Sequence, residues 1–250
     1  MLAILGAFGQ EIVDYRRQMV IEEVVAGSVC RLYRGKFKNR ETVLVQTGMG
    51  KERAENATRF ILERYPITAI ISLGFAGALA LELRIGDVVV CSTLYCAPGL
   101  EQKEQRLEPL APDATLLFLA SQGPGDEATR FCLGSGVTVL QLDVNPQKMQ
   151  EFSETFHAHI IDMESYWIAR IASARQIPFI AIRSISDTIQ HSVQPFDQIL
   201  ASDGKVLWRK AVLCFLSHPQ YLMNVYTLYR NTRLAKRNLA AFIGHLVTKI

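Results

Sequence analysis

Two carboxylates stand where buried strands are expected to end. Glu164 follows the apolar run His159–Ile161, and Asp187 follows the longer run Phe179–Ile185. Short runs rich in β-branched residues are typical of strands that are buried on both faces. The residues between the two runs, Ser165–Gln176, have about the length of a crossover helix. Because ligands of α/β sheets bind at the carboxyl ends of strands, we expect both acids to face a ligand site.

A third acid, Glu11, stands near the start of a predicted helix. It follows the first predicted strand, Leu2–Leu5, and a turn at Gly6. Glycine allows a tight turn, and the helix dipole favours a carboxylate in the first helical turn. The spacing therefore leaves two interpretations of Glu11, a helix-stabilising residue or a functional acid.

Together the three acids suit the cleavage of a glycosidic bond. Glu164 can accept charge-assisted hydrogen bonds from both hydroxyls of a ribose, and a cationic sugar transition state would strengthen them. Desolvation would let Asp187 hold a proton near neutral pH and donate it to a leaving group. Glu11 could then act as the base for a water molecule on the opposite side. The structural alternative for each acid is a helix cap or a salt-bridge partner.

Two glycine-rich segments would form the floor of such a site. Gly74–Ala78 follows the predicted strand Thr68–Leu73, and its small residues around Phe75 leave space for a planar group to approach the backbone. The alternative is a tight strand-to-loop turn. Thr47–Lys51 precedes a predicted helix, Glu52–Tyr65, and free N–H groups at a helix start attract anions, although the P-loop spacing is absent.

The composition favours a globular, cytoplasmic protein. Of 250 residues, 49% are hydrophobic and 20% are charged, and the net charge of +3 is too small to indicate nucleic-acid binding. We expect neither a secretory signal nor a membrane span, because no basic leader and no apolar run of about 20 residues is present. The five cysteines form no CxxC pair and the histidines lack metal-ligand spacing, so we expect reduced thiols and no metal site.

The C-terminal segment, 219–250, differs in charge from the main domain predicted over residues 1–218. It contains basic residues but no Asp or Glu, and its apolar residues fit one face of a helix. A basic amphipathic helix can lie on an anionic membrane surface. The alternative is a helix that packs on its own domain with its basic face in solvent.

Six segments in the same order resemble the purine nucleoside phosphorylase / uridine phosphorylase superfamily, in particular its methylthioadenosine/S-adenosylhomocysteine nucleosidase branch. The resemblance covers roughly residues 1–200. The segments are Gly6–Phe8 with Glu11, Thr47–Lys51, Gly74–Ala78, Arg84–Asp87, Asp162–Glu164 and Arg183–Asp187.

The resemblance implies a three-layer α/β/α sandwich with a twisted mixed central sheet, assembled as a dimer or higher homo-oligomer. It also implies cleavage of the N-glycosidic bond of a purine nucleoside without a cofactor. The implied roles are Glu11 and Asp187 in catalysis, Glu164 and Met163 at the ribose, and Ala76, Gly77 and Phe75 at the base. Phe75 replaces the small hydroxyl residue that the nucleosidases have at this position.

Hydrolysis and phosphorolysis remain alternatives, since phosphorolysis needs inorganic phosphate as co-substrate and cationic groups to bind it. Related phosphorylases have an arginine early in the chain, where this sequence has Gln10 and Glu11, and a carboxylate would repel phosphate. The sequence therefore favours hydrolysis. The residues expected at the water or phosphate position are Gly6, Gly50, Lys51 and Arg183. A non-catalytic nucleoside-binding module that docks on membranes is a third alternative.

The segment from Leu216 to Lys236 resembles the hopanoid-associated branch of the superfamily, which removes adenine from adenosylhopane. This resemblance implies a lipid-linked adenosine as substrate and peripheral contact with a membrane through the C-terminal helix.

Overall fold

A nine-stranded mixed sheet forms the centre of the molecule in the computed structural model. The structure describes residues 1–97, 107–125, 129–141, 145–188 and 220–250, with side chains from residue 230 onward in the last range. The strands are β1 (Leu2–Gly6), β2 (Val20–Ala26), β3 (Arg31–Phe37), β4 (Arg40–Gln46), β5 (Ala69–Ala78), β6 (Val88–Cys96), β7 (Phe131–Thr138), β8 (Ile160–Asp162) and β9 (Phe179–Thr188). The helices are α1 (Gly9–Gln18), α2 (Lys51–Arg64), α3 (Ala114–Ser121), α4 (Pro146–Phe156), α5 (Ser165–Ala174) and α6 (Gln220–Lys249).

Strand β5 joins an open half of the sheet to a closed half. The order is β2-β3-β4-β1-β5-β8-β7-β6-β9, and β9 also pairs with β5. Strands β5, β8, β7, β6 and β9 therefore close into a small barrel, whereas β1 to β4 continue outward from β5 as an open sheet. A register shift in the β5–β9 ladder at Ala76 and Gly77 lies at the end of β5, where β8 replaces β1 as its neighbour.

The helices cover both faces of the sheet because successive side chains of its central strands point to opposite sides. Helices α2 and α5 pack on one face, against Ala3, Leu5 and Ile70. Helices α1, α3 and α6 pack on the other, against Leu2, Ile4 and Ile71. This arrangement confirms the predicted α/β fold with a mixed central sheet.

The prediction was wrong about how the two acid-bearing strands relate to each other. Strand β8 runs antiparallel to β5 and β9 runs parallel to it, so the two strands run in opposite directions and do not pair. They meet instead at the end of β5, where Gly77 is paired with Ile161 on one side and with Asp187 on the other. The strands that lead to Glu164 and Asp187 therefore meet at β5 rather than at one shared edge of parallel strands.

Two local predictions also need correction. Gly74–Ala78 was expected to follow the end of a strand, but β5 continues through it, because both of its edges find partner strands there. Strand β2 was not expected, since its residues are mostly exposed and it forms the outer edge of the sheet.

Helix α6 packs its C-terminal half on the domain. Leu239, Phe242 and Ile243 are at most 1% exposed, and the Asn238 side chain donates a hydrogen bond to the Gly86 carbonyl at 2.8 Å. The apolar face of this half is therefore used by the core, as the docked alternative expects. The predicted boundary at residue 218 lies outside the described residues. Among the helices that the structure describes, none combines the length and the apolar character that crossing a membrane requires.

Candidate active site

A small cavity lies where β1, β5 and β9 meet the turn between β8 and α5. It contains five of the residues singled out from the sequence, together with apolar neighbours. The lining residues are Leu5, Gly6, Ala7, Glu11, Ser72, Leu73, Gly74, Phe75, Glu164, Ile168 and Arg183.

Glu11 is held at the cavity by the backbone on either side of it. Its carboxylate accepts hydrogen bonds from the N–H of Phe8 at 2.8 Å and from the N–H of Phe75 at 3.0 Å. The side chain is 3% exposed, and this burial raises the pKa of Glu11, while the two N–H donors and the Arg183 charge act in the opposite direction. Glu11 therefore does more than stabilise α1, since it joins the turn after β1 to the backbone of β5.

Glycine at position 74 makes this arrangement possible. A Cβ atom there would lie 2.8 Å from Oε1 of Glu11 and 3.6 Å from Cζ of Arg183. Any other side chain would displace the carboxylate, so the close approach of Glu11 to β5 requires Gly74.

Glu164 lies across the cavity, at the residue that precedes α5. Its carboxylate accepts a hydrogen bond from the Gly50 N–H at 2.7 Å. Burial first, and then the neighbouring Asp162 carboxylate, raise the pKa of Glu164 to about 8. Glu164 thus favours its protonated form at neutral pH. Hydrogen bonds donated by sugar hydroxyls would favour the ionised carboxylate instead.

Asp187 lies at the end of β9, outside the lining of this cavity. Its Oδ1 accepts a hydrogen bond from the Ser186 hydroxyl at 2.7 Å, and its Oδ2 would lie 3.2 Å from a Cβ atom at Gly77. Burial raises the pKa of Asp187. A carboxyl group that favours its neutral form beside the glycine-rich end of β5 can hold a proton for a base placed there.

The remaining sequence-predicted residues are not among those that line the cavity. Ala76 and Gly77 are in β5 beside Asp187, and Met163 packs against the apolar cluster that covers β7 and α4. The ammonium group of Lys51 lies 4.7 Å from the centre of the Trp167 ring. Gly50 takes part only through its N–H, which Glu164 already occupies.

Arg183 is buried and tied to neighbouring side chains. It is 2% exposed; Nε donates to Asp162 at 2.9 Å, and Nη2 donates to the Ser72 hydroxyl at 2.9 Å. The sequence reasoning missed Ser72 and gave Asp162 no role. A signal was available for Ser72, because it is the polar residue inside the apolar run Ala69–Leu73.

The family model described as "Phosphorylase superfamily" matches residues 1–207. A 5′-methylthioadenosine/S-adenosylhomocysteine nucleosidase of Tolumonas auensis is 30% identical over 196 residues, which cover 74% of this chain and 85% of the relative. The corresponding protein of Aeromonas salmonicida is 27% identical over 215 residues, covering 82% and 94%.

Solved structures show the same fold. The nucleosidase of Neisseria meningitidis in complex with methylthio-immucillin-A has a TM-score of 0.77 at 21% identity and covers 100% of this chain and 99% of its own. The native futalosine hydrolase of Helicobacter pylori has a TM-score of 0.74 at 17% identity, covering 100% and 97%. With the family model matching most of the chain, the protein belongs to the phosphorylase superfamily.

Proposed function

We propose that this protein hydrolyses the N-glycosidic bond of a purine nucleoside and releases the free base. The observation that carries the proposal is the buried Glu11 carboxylate, fixed by two backbone N–H groups in the cavity that Glu164 also lines. A fixed acceptor of this kind can orient a water molecule and take its proton. The relatives named above as nucleosidases support the same reaction.

In the proposed reaction a water oxygen attacks C1′ of the ribose while Glu11 accepts its proton. Glu164 and Met163 hold the sugar, and the electron pair of the breaking bond moves onto the purine. Asp187 delivers a proton to, or hydrogen-bonds, N7 of the departing base. The base itself occupies the space around Phe75 and the end of β5, at Ala76 and Gly77.

Water is favoured over phosphate by the way the nearby donors are already used. Lys51 stacks on Trp167, Arg183 pairs with Asp162, and the Gly50 N–H is bound to Glu164. An incoming phosphate would also meet the Glu11 carboxylate. We therefore propose no cofactor and no phosphate co-substrate.

The test is an assay for free base on a panel of nucleosides, with and without phosphate. We expect adenine release that does not depend on phosphate, and ribose 1-phosphate among the products would overturn hydrolysis.

Asp187→Asn should lower kcat by about 10²- to 10⁴-fold, the usual contribution of a general acid. Asp113→Asn is the matched control, because Asp113 caps α3 through the Leu116 N–H and should leave the rate unchanged. Binding of nucleosides without turnover would favour a non-catalytic module.

For the substrate, we propose a lipid-linked adenosine such as adenosylhopane, reached at the cytoplasmic face of a membrane. Exposed Arg230, Arg233 and Arg237 follow one another at helical spacing on α6, beside Leu234, which is 43% exposed. Arginines and an exposed leucine on one ridge suit contact with anionic lipid headgroups. This contact would use the ridge of α6 rather than its buried apolar face.

Adenine release from adenosylhopane should exceed release from methylthioadenosine at equal concentration, and rapid release from methylthioadenosine alone would contradict the lipid-linked substrate. Sedimentation with anionic vesicles should fall when the three arginines are changed to glutamate. The homo-oligomer implied by the resemblance is checked by light scattering of the eluted protein.

A further inference from the structure

The buried pair of Arg183 and Asp162 lies beneath both pocket acids, yet neither residue has a solvent-exposed charge that could bind substrate. Arg183 is 2% exposed and Asp162 is 6% exposed. Their side chains are joined by the 2.9 Å ion pair from Nε to Oδ2, and Ser72 accepts from the far side of the guanidinium. The guanidinium is thereby fixed in one orientation in the pocket floor.

Asp162 also fixes the turn that carries Glu164. Its Oδ1 accepts a hydrogen bond from the Thr138 hydroxyl at 2.6 Å, and its Oδ2 accepts from the Ser165 N–H at 3.0 Å and from the Ser165 hydroxyl. Ser165 begins α5, and Glu164 is the residue before it. One carboxylate therefore sets the position of both the arginine and the sugar-facing acid.

We propose that Asp162 and Arg183 are positioning residues that give the two pocket acids opposite electrostatic surroundings, Arg183 favouring the carboxylate form of Glu11 and Asp162 favouring the protonated form of Glu164 until the sugar binds. The inference deepens the proposed function and rests on it. It adds a difference between Glu11 and Glu164 that neither carboxyl group has by itself, because both line one cavity.

Geometry separates the two effects. Glu11 and Arg183 both approach Gly74, at 2.8 Å and 3.6 Å from the position that a Cβ atom would take there. Burial raises the pKa of Glu11 and the Arg183 charge acts against that rise. For Glu164, burial raises the pKa first, and the Asp162 charge adds more to the rise than the Arg183 charge takes away. The charged or titratable groups of the described residues that interact with this cluster are Glu11 and Tyr15 from α1, Cys91 and Cys96 from β6, Asp162 from β8, Glu164 before α5 and Arg183 from β9.

The principal test is the double variant Asp162→Asn/Arg183→Met. It removes both charges at once, so no unpaired charge is left buried, and the asparagine keeps an acceptor for Ser165. Carbon-detected NMR of labelled glutamate side chains would give the titration midpoints of Glu11 and Glu164. We expect the midpoint of Glu11 to rise, because its cation is lost, and the midpoint of Glu164 to fall, because its like charge is lost.

A loss of structure would have a different signature. Opening the site to water would move both midpoints downward towards the ordinary value of a glutamate, so opposite movements are specific to the proposal. Two unchanged midpoints, or two that fall together in a variant with native circular dichroism, would overturn it. In the pH profile of kcat/KM, the acidic limb that reports Glu11 should move to higher pH in the variant.

If the double variant does not fold, two single serine variants test the positioning role of Arg183. Ser72→Ala removes the acceptor that fixes Arg183, while Ser184→Ala removes another fully buried β-strand serine, whose hydroxyl contacts only the backbone of Gly86 and Asp87. We expect the Glu11 midpoint to rise in Ser72→Ala and to stay unchanged in Ser184→Ala. Equal behaviour of the two variants would refute the positioning role.

The titration also separates this inference from the proposed function. If no nucleoside is cleaved, the proposed function fails. The titration midpoints of Glu11 and Glu164 still report whether Arg183 and Asp162 shift the two acids in opposite directions. If nucleosides are cleaved and the midpoints do not move, only the inference fails.

Discussion

The proton held by Glu164 should make the stability of the folded protein depend on pH. The folded pKa is about 8 against an ordinary value of 4.5, so the folded state binds this proton more tightly than the unfolded state. The resulting contribution to the free energy of unfolding is fully present below pH 4.5 and is lost as the pH rises to 8. Each pH unit between the two pKa values corresponds to about 1.4 kcal/mol, which gives a loss on the order of 5 kcal/mol.

Glu164→Gln tests this reasoning, because glutamine keeps an acceptor for the Gly50 N–H and cannot titrate. Urea unfolding from pH 5 to pH 8.5, followed by circular dichroism, would give the free energy of unfolding at each pH. The parent protein should lose stability steadily over this range. The variant should lose much less, and should be more stable than the parent at pH 8.5. A smaller loss of the same sign remains, because burial also raises the pKa of Glu11 and Asp187.

The matched control is Glu63→Gln, which removes a carboxylate whose side chain is 64% exposed and whose ion pair with Arg175 lies at the surface. It should leave the pH dependence as it is in the parent. Parallel pH curves for the parent and Glu164→Gln would refute the argument, since they would mean that Glu164 is ionised in the folded protein throughout this range.

Three further substitutions test the packing around the site and the C-terminal helix. Gly74→Ala should push the Glu11 carboxylate off the Phe75 N–H, lowering kcat by about 10²-fold or more while circular dichroism stays native, and a rate within twofold of the parent would contradict this. Gly86→Ala should cost about 1–3 kcal/mol in urea unfolding, because φ is +88° and a Cβ atom would lie 2.8 Å from Leu234. Phe242→Ala should cost about 3–5 kcal/mol, since this ring is 1% exposed, and a near-neutral change would show that α6 is not part of the core.

The sequence was sufficient to locate the strands that carry the site, because each is a short apolar run that ends at a glycine or an acid. It was also sufficient to select Glu11 and Glu164, which the structure brings to one cavity. Hydrophobic periodicity reports which residues are buried and says nothing about which strand lies beside which. The opposite directions of β8 and β9 were missed for that reason.

The sequence also did not predict contacts between side chains that are far apart along the chain. Lys51 was expected to bind an anion, but its ammonium group lies over Trp167, which is contributed by α5. Arg183, predicted at the water or phosphate position, lines the cavity and also donates hydrogen bonds to Asp162 and Ser72. In both cases the charge was visible in the sequence, and its orientation depends on packing between elements that only the folded chain brings together.

The closure of the barrel has a consequence for the order in which the chain can fold during synthesis. Strand β5 pairs with β1 near its own start. Its other edge pairs with β9, which is synthesised more than a hundred residues later. Loop closure over such a distance is slow, and an unpaired strand edge invites association between chains. A nascent chain that ends before Phe179 would therefore expose the apolar edge of β5 and would lack Arg183. The open half of the sheet can form early on the ribosome, whereas the candidate site is completed only by one of the last strands to emerge.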